Sequence, residues 1–170
     1  MLPYVLTGGP GAGKTTLVEA LAARGWATTR EAGRALIREG VPSADQAAFS
    51  EAILRRELES YAWAVAQPGP VLCDRGVPDV VGNYLRLGLP VPAHVAAAAV
   101  ECPYASPVLV APPWPEIYVH DAERTHSWET AVATYEAMVA AYESYGYDLL
   151  EVPRVPVEER VAFVLGSLGT

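Results

Sequence analysis

Lysine is almost absent from this chain. Of its 12 basic residues all but one are arginine, and the single lysine is Lys14. Cysteine is scarce too. Cys73 and Cys102 are too few for a disulfide framework and stand in no paired metal spacing. Cys73 lies in an apolar run and reads as a small core residue. No apolar run reaches the roughly eighteen residues that a membrane span needs. The opening stretch Met1–Leu6 has no basic flank and runs straight into glycines, so no signal peptide is expected. Positive charge is in deficit: 12 Lys and Arg against 20 Asp and Glu give a net charge of −8. Such a balance disfavours nucleic acid and anionic membrane as partners, while allowing a local basic pocket. Internal repeats, low-complexity tracts and charge blocks are also missing. The expectation is a soluble cytoplasmic protein whose oligomeric state the sequence leaves open.

What is present suits one compact domain. The 170 residues are 51% hydrophobic and 19% charged, enough for a sizeable core. Apolar periodicity alternates between strand and helix along the chain. Strands are expected at 2–7, 26–29, 71–73, 108–111 and 148–152. Helices are expected at 15–23, 43–67, 78–87, 91–101, 127–145 and 156–168. Ser43 is a suitable N-cap for the long second helix. Phe49, Ile53, Leu54, Leu58, Tyr61, Ala62 and Val65 form its apolar stripe. In the helix at 127–145 the stripe is Trp128, Val132, Tyr135, Val139 and Tyr142. Alternation of this kind implies parallel pairing with right-handed crossovers, hence an α/β three-layer sandwich around about five strands. Ligands of such sheets bind beyond the carboxyl ends of the strands. That rim carries Gly8–Thr15, Glu31, Asp74 and the segment after Ala111.

One motif on the rim has a direct physical reading. Gly8, Gly9, Pro10, Gly11, Ala12, Gly13, Lys14 and Thr15 fit the phosphate-loop pattern G-x-x-x-x-G-K-[ST], with a strand before and a helix after. Its glycines let backbone N–H groups wrap a phosphate chain, and the following helix presents its positive end. Lys14 is placed for the β- and γ-phosphates. The Thr15 hydroxyl is placed for Mg2+. Lysine suits that position because its charge is compact, where an arginine is a planar fork.

The strand at 71–73 delivers Asp74 to the same rim. An acid there serves the magnesium shell or accepts a proton from a hydroxyl. Arg75 follows it, where water-activating ATPases carry glutamate. A GTPase would need an N-K-x-D element, which a chain with one lysine cannot supply. Glu31, in Thr29-Arg30-Glu31-Ala32-Gly33-Arg34, is a rival base, or else an acid favoured by a helix start. Arg34 is a candidate for acceptor anions. Acceptor candidates are Arg55 and Arg56 on the long helix, with Tyr61, Trp63, Asp79 and Tyr84 nearby in sequence, although Arg55 and Arg56 read more readily as a solvated helix face and Tyr61 as core.

The Asp74-Arg75 pair resembles the nucleoside and nucleotide kinase group of P-loop proteins. There an aspartate serves the reaction centre and an arginine grips acceptor or phosphates. Across nearly all 170 residues the chain is similar to small bacterial P-loop proteins known as AAA-domain ATPases, themselves similar to ribosylnicotinamide kinase. The shared stretches are Thr7–Thr16, Glu31–Arg34, Asp74–Asp79, Ala111–Tyr118 and Pro156–Val161. The resemblance implies a single P-loop kinase-like domain over 1–170 with strand order 2-3-1-4-5, ATP and Mg2+ as cofactors, and a lid segment around 113–128. It implies Thr16 as part of the nucleotide cradle, Arg124 as a lid residue that closes on the transferring phosphoryl group, and Arg154 as a residue beside the adenine. The expected activity is phosphoryl transfer from MgATP to a small hydroxyl- or phosphate-bearing molecule. An ATPase or nucleotide switch acting on a protein partner is the alternative.

Overall fold

The computed structural model describes residues 1–118 and 127–169. Strand β1 (Tyr4–Gly8) begins just after Pro3, so the missing proline N–H costs the ladder nothing. The chain continues through α1 (Lys14–Ala22), β2 (Ala27–Thr28), α2 (Ala32–Arg38), α3 (Gln46–Val65) and β3 (Val71–Asp74). Then come α4 (Val77–Arg86), α5 (Ala93–Glu101), β4 (Val108–Ala111), a 3-10 turn at Pro115–Ile117, α6 (Trp128–Ser144), β5 (Leu149–Glu151) and α7 (Val157–Leu168). The strands form one parallel sheet in the order β2-β3-β1-β4-β5. The α/β sandwich and the 2-3-1-4-5 order are therefore as the sequence implies.

Strand parity sorts the core onto two faces. Leu6, Leu72 and Leu109 join α1 and α7 in one cluster. Val5, Val71, Cys73 and Val108 join Ala64 of α3 and Tyr142 of α6 on the other face. Beyond that second face, α2, α3, α4 and α5 share a further cluster built on Phe49, Ile53, Val77, Val80 and Val95. Register places Val5 opposite Cys73 and Leu6 opposite both Asp74 and Leu109, so β1 lies at the centre of the rim. Burial pushes the Cys73 thiol up to about 12, in keeping with an inert core residue.

Three local expectations need correction. The cap of α3 is Asp45, whose carboxylate accepts from Ala48 N at 3.0 Å, and not Ser43. Its buried side holds Ser50, Ala52 and Glu57, while Leu58 and Val65 are 36% and 40% exposed. Helix α6 buries Ala131, Thr134, Met138, Ala141 and Tyr142, so the stripe of large side chains through Trp128, Val132, Tyr135 and Val139 is not its inner face. The reason is close approach. A Cβ added to Gly9 would strike the Ala131 carbonyl, and one at Gly82 would lie 2.6 Å from Met138 Sδ. The glycines at 9 and 82 let α6 lie almost on the loop after β1 and on α4, which turns Ala131, Met138 and Tyr142 inward.

Candidate functional site

The loop Gly8–Gly13 joins β1 directly to α1. Gly13 takes a left-handed φ of 74° and caps the helix. Lys14 opens α1 with its side chain 5% exposed and donates to the carbonyls of Gly8 at 3.2 Å and Gly9 at 2.7 Å. Burial and the nearby Arg75 bring the Lys14 ammonium down to about 8. The outside of the loop is also held. Arg160 of α7 donates to the carbonyls of Ala12 and Gly13, both at 3.2 Å, and sits over the Trp114 ring at 5.7 Å. Backbone N–H groups of a glycine-rich loop pinned in this way suit a phosphate chain. In the sequence Arg160 is one residue of the tail motif Pro156–Val161, with no mark of this role. Its 147-residue separation from Gly13 gives no local signal.

Asp74 ends β3 beside this loop. It is 3% exposed, and its Oδ1 has no hydrogen-bond partner among the described residues. Burial and the negative Glu31 raise its carboxyl to about 6. The Thr15 hydroxyl lies in the first turn of α1, where Arg34 Nη1 donates to it at 3.4 Å. An orphaned carboxylate oxygen and a hydroxyl are hard oxygen donors of the kind Mg2+ takes, so the residues present fit such an ion.

Arg75 turns away from Asp74. Its backbone holds a left-handed φ of 75°, a conformation that side chains other than glycine, asparagine and aspartate seldom adopt. This swings the guanidinium between two carboxylates: Glu31 Oε1 at 3.2 Å and Asp79 Oδ1 at 2.8 Å. Glu31 stands at the N-cap of α2, yet its side chain makes no cap hydrogen bond. It is spent instead on Arg75 and on Arg34 at 3.4 Å, and these cations hold its carboxyl down to about 2 despite burial. Asp79 is the hub. It is 2% exposed and accepts from Thr7 Oγ1 at 2.5 Å, Gly76 N at 2.9 Å, Arg75 Nη1 and Tyr142 OH at 2.7 Å.

Beside the loop a cleft of about 560 Å³ opens between α2, α3, α4 and α6. Pro10, Glu31, Arg34, Arg75 and Asp79 close its inner end. Phe49 and Ile53 supply apolar wall, and Asn83, Thr130 and Thr134 supply polar wall. Arg56 pairs with Glu39 at 2.8 Å on the surface, and Arg55 is exposed, as a solvated helix face would be. Thr16 is exposed on α1. Arg154 lies in the turn after β5, where it donates to the Pro113 carbonyl at 2.9 Å. It thereby ties that turn to the start of the segment expected as a lid. Of that segment, residues 119–126, Arg124 among them, lie outside the described residues.

Glu57 of α3 is a buried acid that no motif in the sequence marks. It is 2% exposed, and its Oε1 lacks a partner among the described residues. Burial and the acids Asp79, Asp74 and Glu31 push its carboxyl well above the usual range, and the Arg75 charge opposes them only in part. A raised folded value means the folded state keeps a proton that the unfolded chain gives up as pH rises past its own value. Stability on this account falls with pH above that point. Glu57→Gln, neutral throughout, is expected to flatten the fall. Urea melts of both proteins at pH 5 and pH 8 check it: the variant should gain on wild type at pH 8.

The fold has close solved counterparts at low identity. Deoxyadenosine kinase from M. mycoides, with products dCMP and a flexible dCDP bound, superposes with a TM-score of 0.69 at 11% identity, covering 99% of both chains. NadR in complex with NR gives a TM-score of 0.81 at 18% identity, over 99% of this chain and 52% of that one. NadR with NAD and AMP-PNP gives 0.76 at 16% identity, over 99% and 50%. The chain thus spans about half the length of NadR. No curated protein matches it by sequence. A P-loop kinase-like fold is common to all three structures. The model of one sequence family, described as an AAA domain, matches residues 3–160, and the chain belongs to that AAA domain family.

Proposed function

We propose that this protein transfers the γ-phosphoryl group of MgATP to a hydroxyl of a small molecule held in the cleft. The observation that carries the reading is the Glu31–Arg75 ion pair at the inner end of the cleft, next to the loop that presents Lys14. The loop N–H groups and the positive end of α1 would hold the phosphate chain, with Lys14 against its outer phosphates. Asp74 and Thr15 would hold Mg2+, which when bound offsets negative charge on the phosphates. Glu31 lines the cleft, whereas Asp74 does not, so Glu31 is the better placed to receive the acceptor hydroxyl. Held at about 2, it stays ionised and accepts a hydrogen bond from that hydroxyl, orienting its oxygen for attack. So weak a base takes the proton late, once the oxygen has begun to bond phosphorus. Arg75 fixes Glu31 from behind and adds positive charge where the transferring group bears negative charge. Arg124 is proposed to close over that group, and Arg154 to lie beside the nucleobase.

Ribose and deoxyribose ligands in the structural counterparts agree with a nucleoside-sized acceptor, and ligand pockets of that size run to several hundred Å³. The test is ADP release from MgATP, alone and with a panel of nucleosides, nucleotides and other hydroxyl compounds, followed by mass spectrometry of the mixture. Acceptor-dependent ADP release with a product one phosphate heavier is expected. Steady release that ignores the panel, with no new product, would overturn the reading in favour of an ATPase or nucleotide switch. Glu31→Gln, which keeps the shape and loses the charge, is expected to lower kcat about a hundredfold. Its KM for ATP should change little, since Glu31 serves the acceptor. Steady-state kinetics in both substrates separates the two.

A further inference from the structure

The same cleft has a second charged end. Among the described residues, the arginines Arg34, Arg75 and Arg86 line it, against two carboxylates, Glu31 and Asp79. This is a local excess of positive charge in a chain whose net charge is −8. At the inner end the charges are matched, because Arg34 and Arg75 pair with Glu31 and Asp79. Arg86 is not matched in this way. It stands in the last turn of α4, where the helix dipole would accept an arginine pointing into water. Its side chain lines the cleft instead. It donates to the neutral amide oxygen of Gln46 at 3.4 Å, and no carboxylate lies within ion-pair distance among the described residues. Burial lowers its ordinary basicity, a sign of charge partly withdrawn from water. A guanidinium so placed carries a desolvation cost that an anion at hydrogen-bond distance offsets. Arg86 is seven residues beyond Asp79 on α4, which sets the two ends of the cleft roughly 10 Å apart at 1.5 Å per residue.

We infer that the acceptor carries, besides the hydroxyl that meets Glu31, an anionic group (a carboxylate or a phosphate) that is seated on Arg86 at the outer end of the cleft. Which end reacts rests on the function proposed above; the anion seat does not. Phe49 and Ile53 lie on the wall of the same cleft and suit an apolar or aromatic body linking the two groups.

Matched pairs of probes test the seat. Uridine against orotidine, and ribose against ribose 5-phosphate, differ by one anionic group. Each is titrated by calorimetry into the protein saturated with Mg2+ and AMP-PNP. Orotidine or ribose 5-phosphate is expected to bind at least tenfold more tightly than its neutral partner. Arg86→Gln should erase that preference, and Arg86→Lys should restore part of it, which a merely structural role would not do. Equal affinity within both pairs, including the case where no probe binds, would overturn the inference, as would a preference that survives Arg86→Gln. If Arg86→Gln unfolds, the wild-type pairs and Arg86→Lys decide it alone. Failure of AMP-PNP to bind, with the anion preference intact on the free protein, would sink the phosphotransfer reading and leave the seat standing.

Discussion

Lys14→Ala is expected to slow phosphoryl transfer about a thousandfold, the scale of removing a charged donor from a site where negative charge gathers. The side chain is buried under its own loop and donates to the Gly8 and Gly9 carbonyls, so it is oriented before any phosphate arrives. Orientation in advance is what makes such a charge effective. Lys14→Arg should fail almost as badly, since a planar fork does not fit where a compact ammonium sits. Stability should move the other way. A lysine brought down to about 8 is less favourably charged in the folded state than in the unfolded one. The alanine variant is therefore expected to be at least as stable as wild type at neutral pH. Single-turnover transfer and urea melts on the same samples would read both effects. Transfer within tenfold of wild type would remove Lys14 from the reaction.

The second large effect concerns stability. Asp79→Ala is expected to cost about 3–5 kcal/mol, the range for breaking a buried ion pair by removing one partner. Four donors lose their acceptor at once: the Thr7 and Tyr142 hydroxyls, the Gly76 N–H and the Arg75 guanidinium. Arg75 retains only Glu31 and is left in a strained backbone conformation with little to hold it there. For a domain of this size the melting temperature should fall by roughly 10 °C. Asp79→Asn keeps the shape and should cost less. Calorimetric scans of the three proteins give the ranking. A drop of under about 1 kcal/mol for Asp79→Ala would show that the network adds little to stability, as exposed ion pairs do.

The features legible in the sequence are those written over short spans. The phosphate loop occupies consecutive residues, and the strands show as brief apolar runs between turns. Parallel pairing follows from their alternation with helices, and the order of strands was carried by family resemblance. Asp74, Glu31 and Arg75 reached the same rim because strand ends do so in this architecture. What stayed hidden depends on distant partners. Asp79 lies five residues past Asp74, yet its role comes from Thr7 and Tyr142, 72 and 63 residues away. The inner face of α6 departs from its stripe of large hydrophobic side chains because the helix sits so close to Gly9 and Gly82 that Ala131 and Met138 are turned inward. Glu57 defies the rule that an apolar stripe marks the buried side. It is buried near Asp79, Asp74 and Glu31, a placement that no periodicity announces.

The two-sided core has an evolutionary consequence. The helices α1 and α7 that support the phosphate loop pack on one face of the sheet, and the helices that wall the cleft pack on the other. Substitutions separated by a sheet in this manner tend to act independently. Lineages that inherit this chain can thus exchange wall residues such as Phe49 and Asn83 with little penalty to the phosphate loop, whereas Thr130 and Thr134 flank Ala131, whose carbonyl lies against Gly9. Divergence in acceptor preference should therefore accumulate in α3 and α4, while the Arg160 clasp, the loop it holds and the faces of α2 and α6 that meet that loop drift slowly.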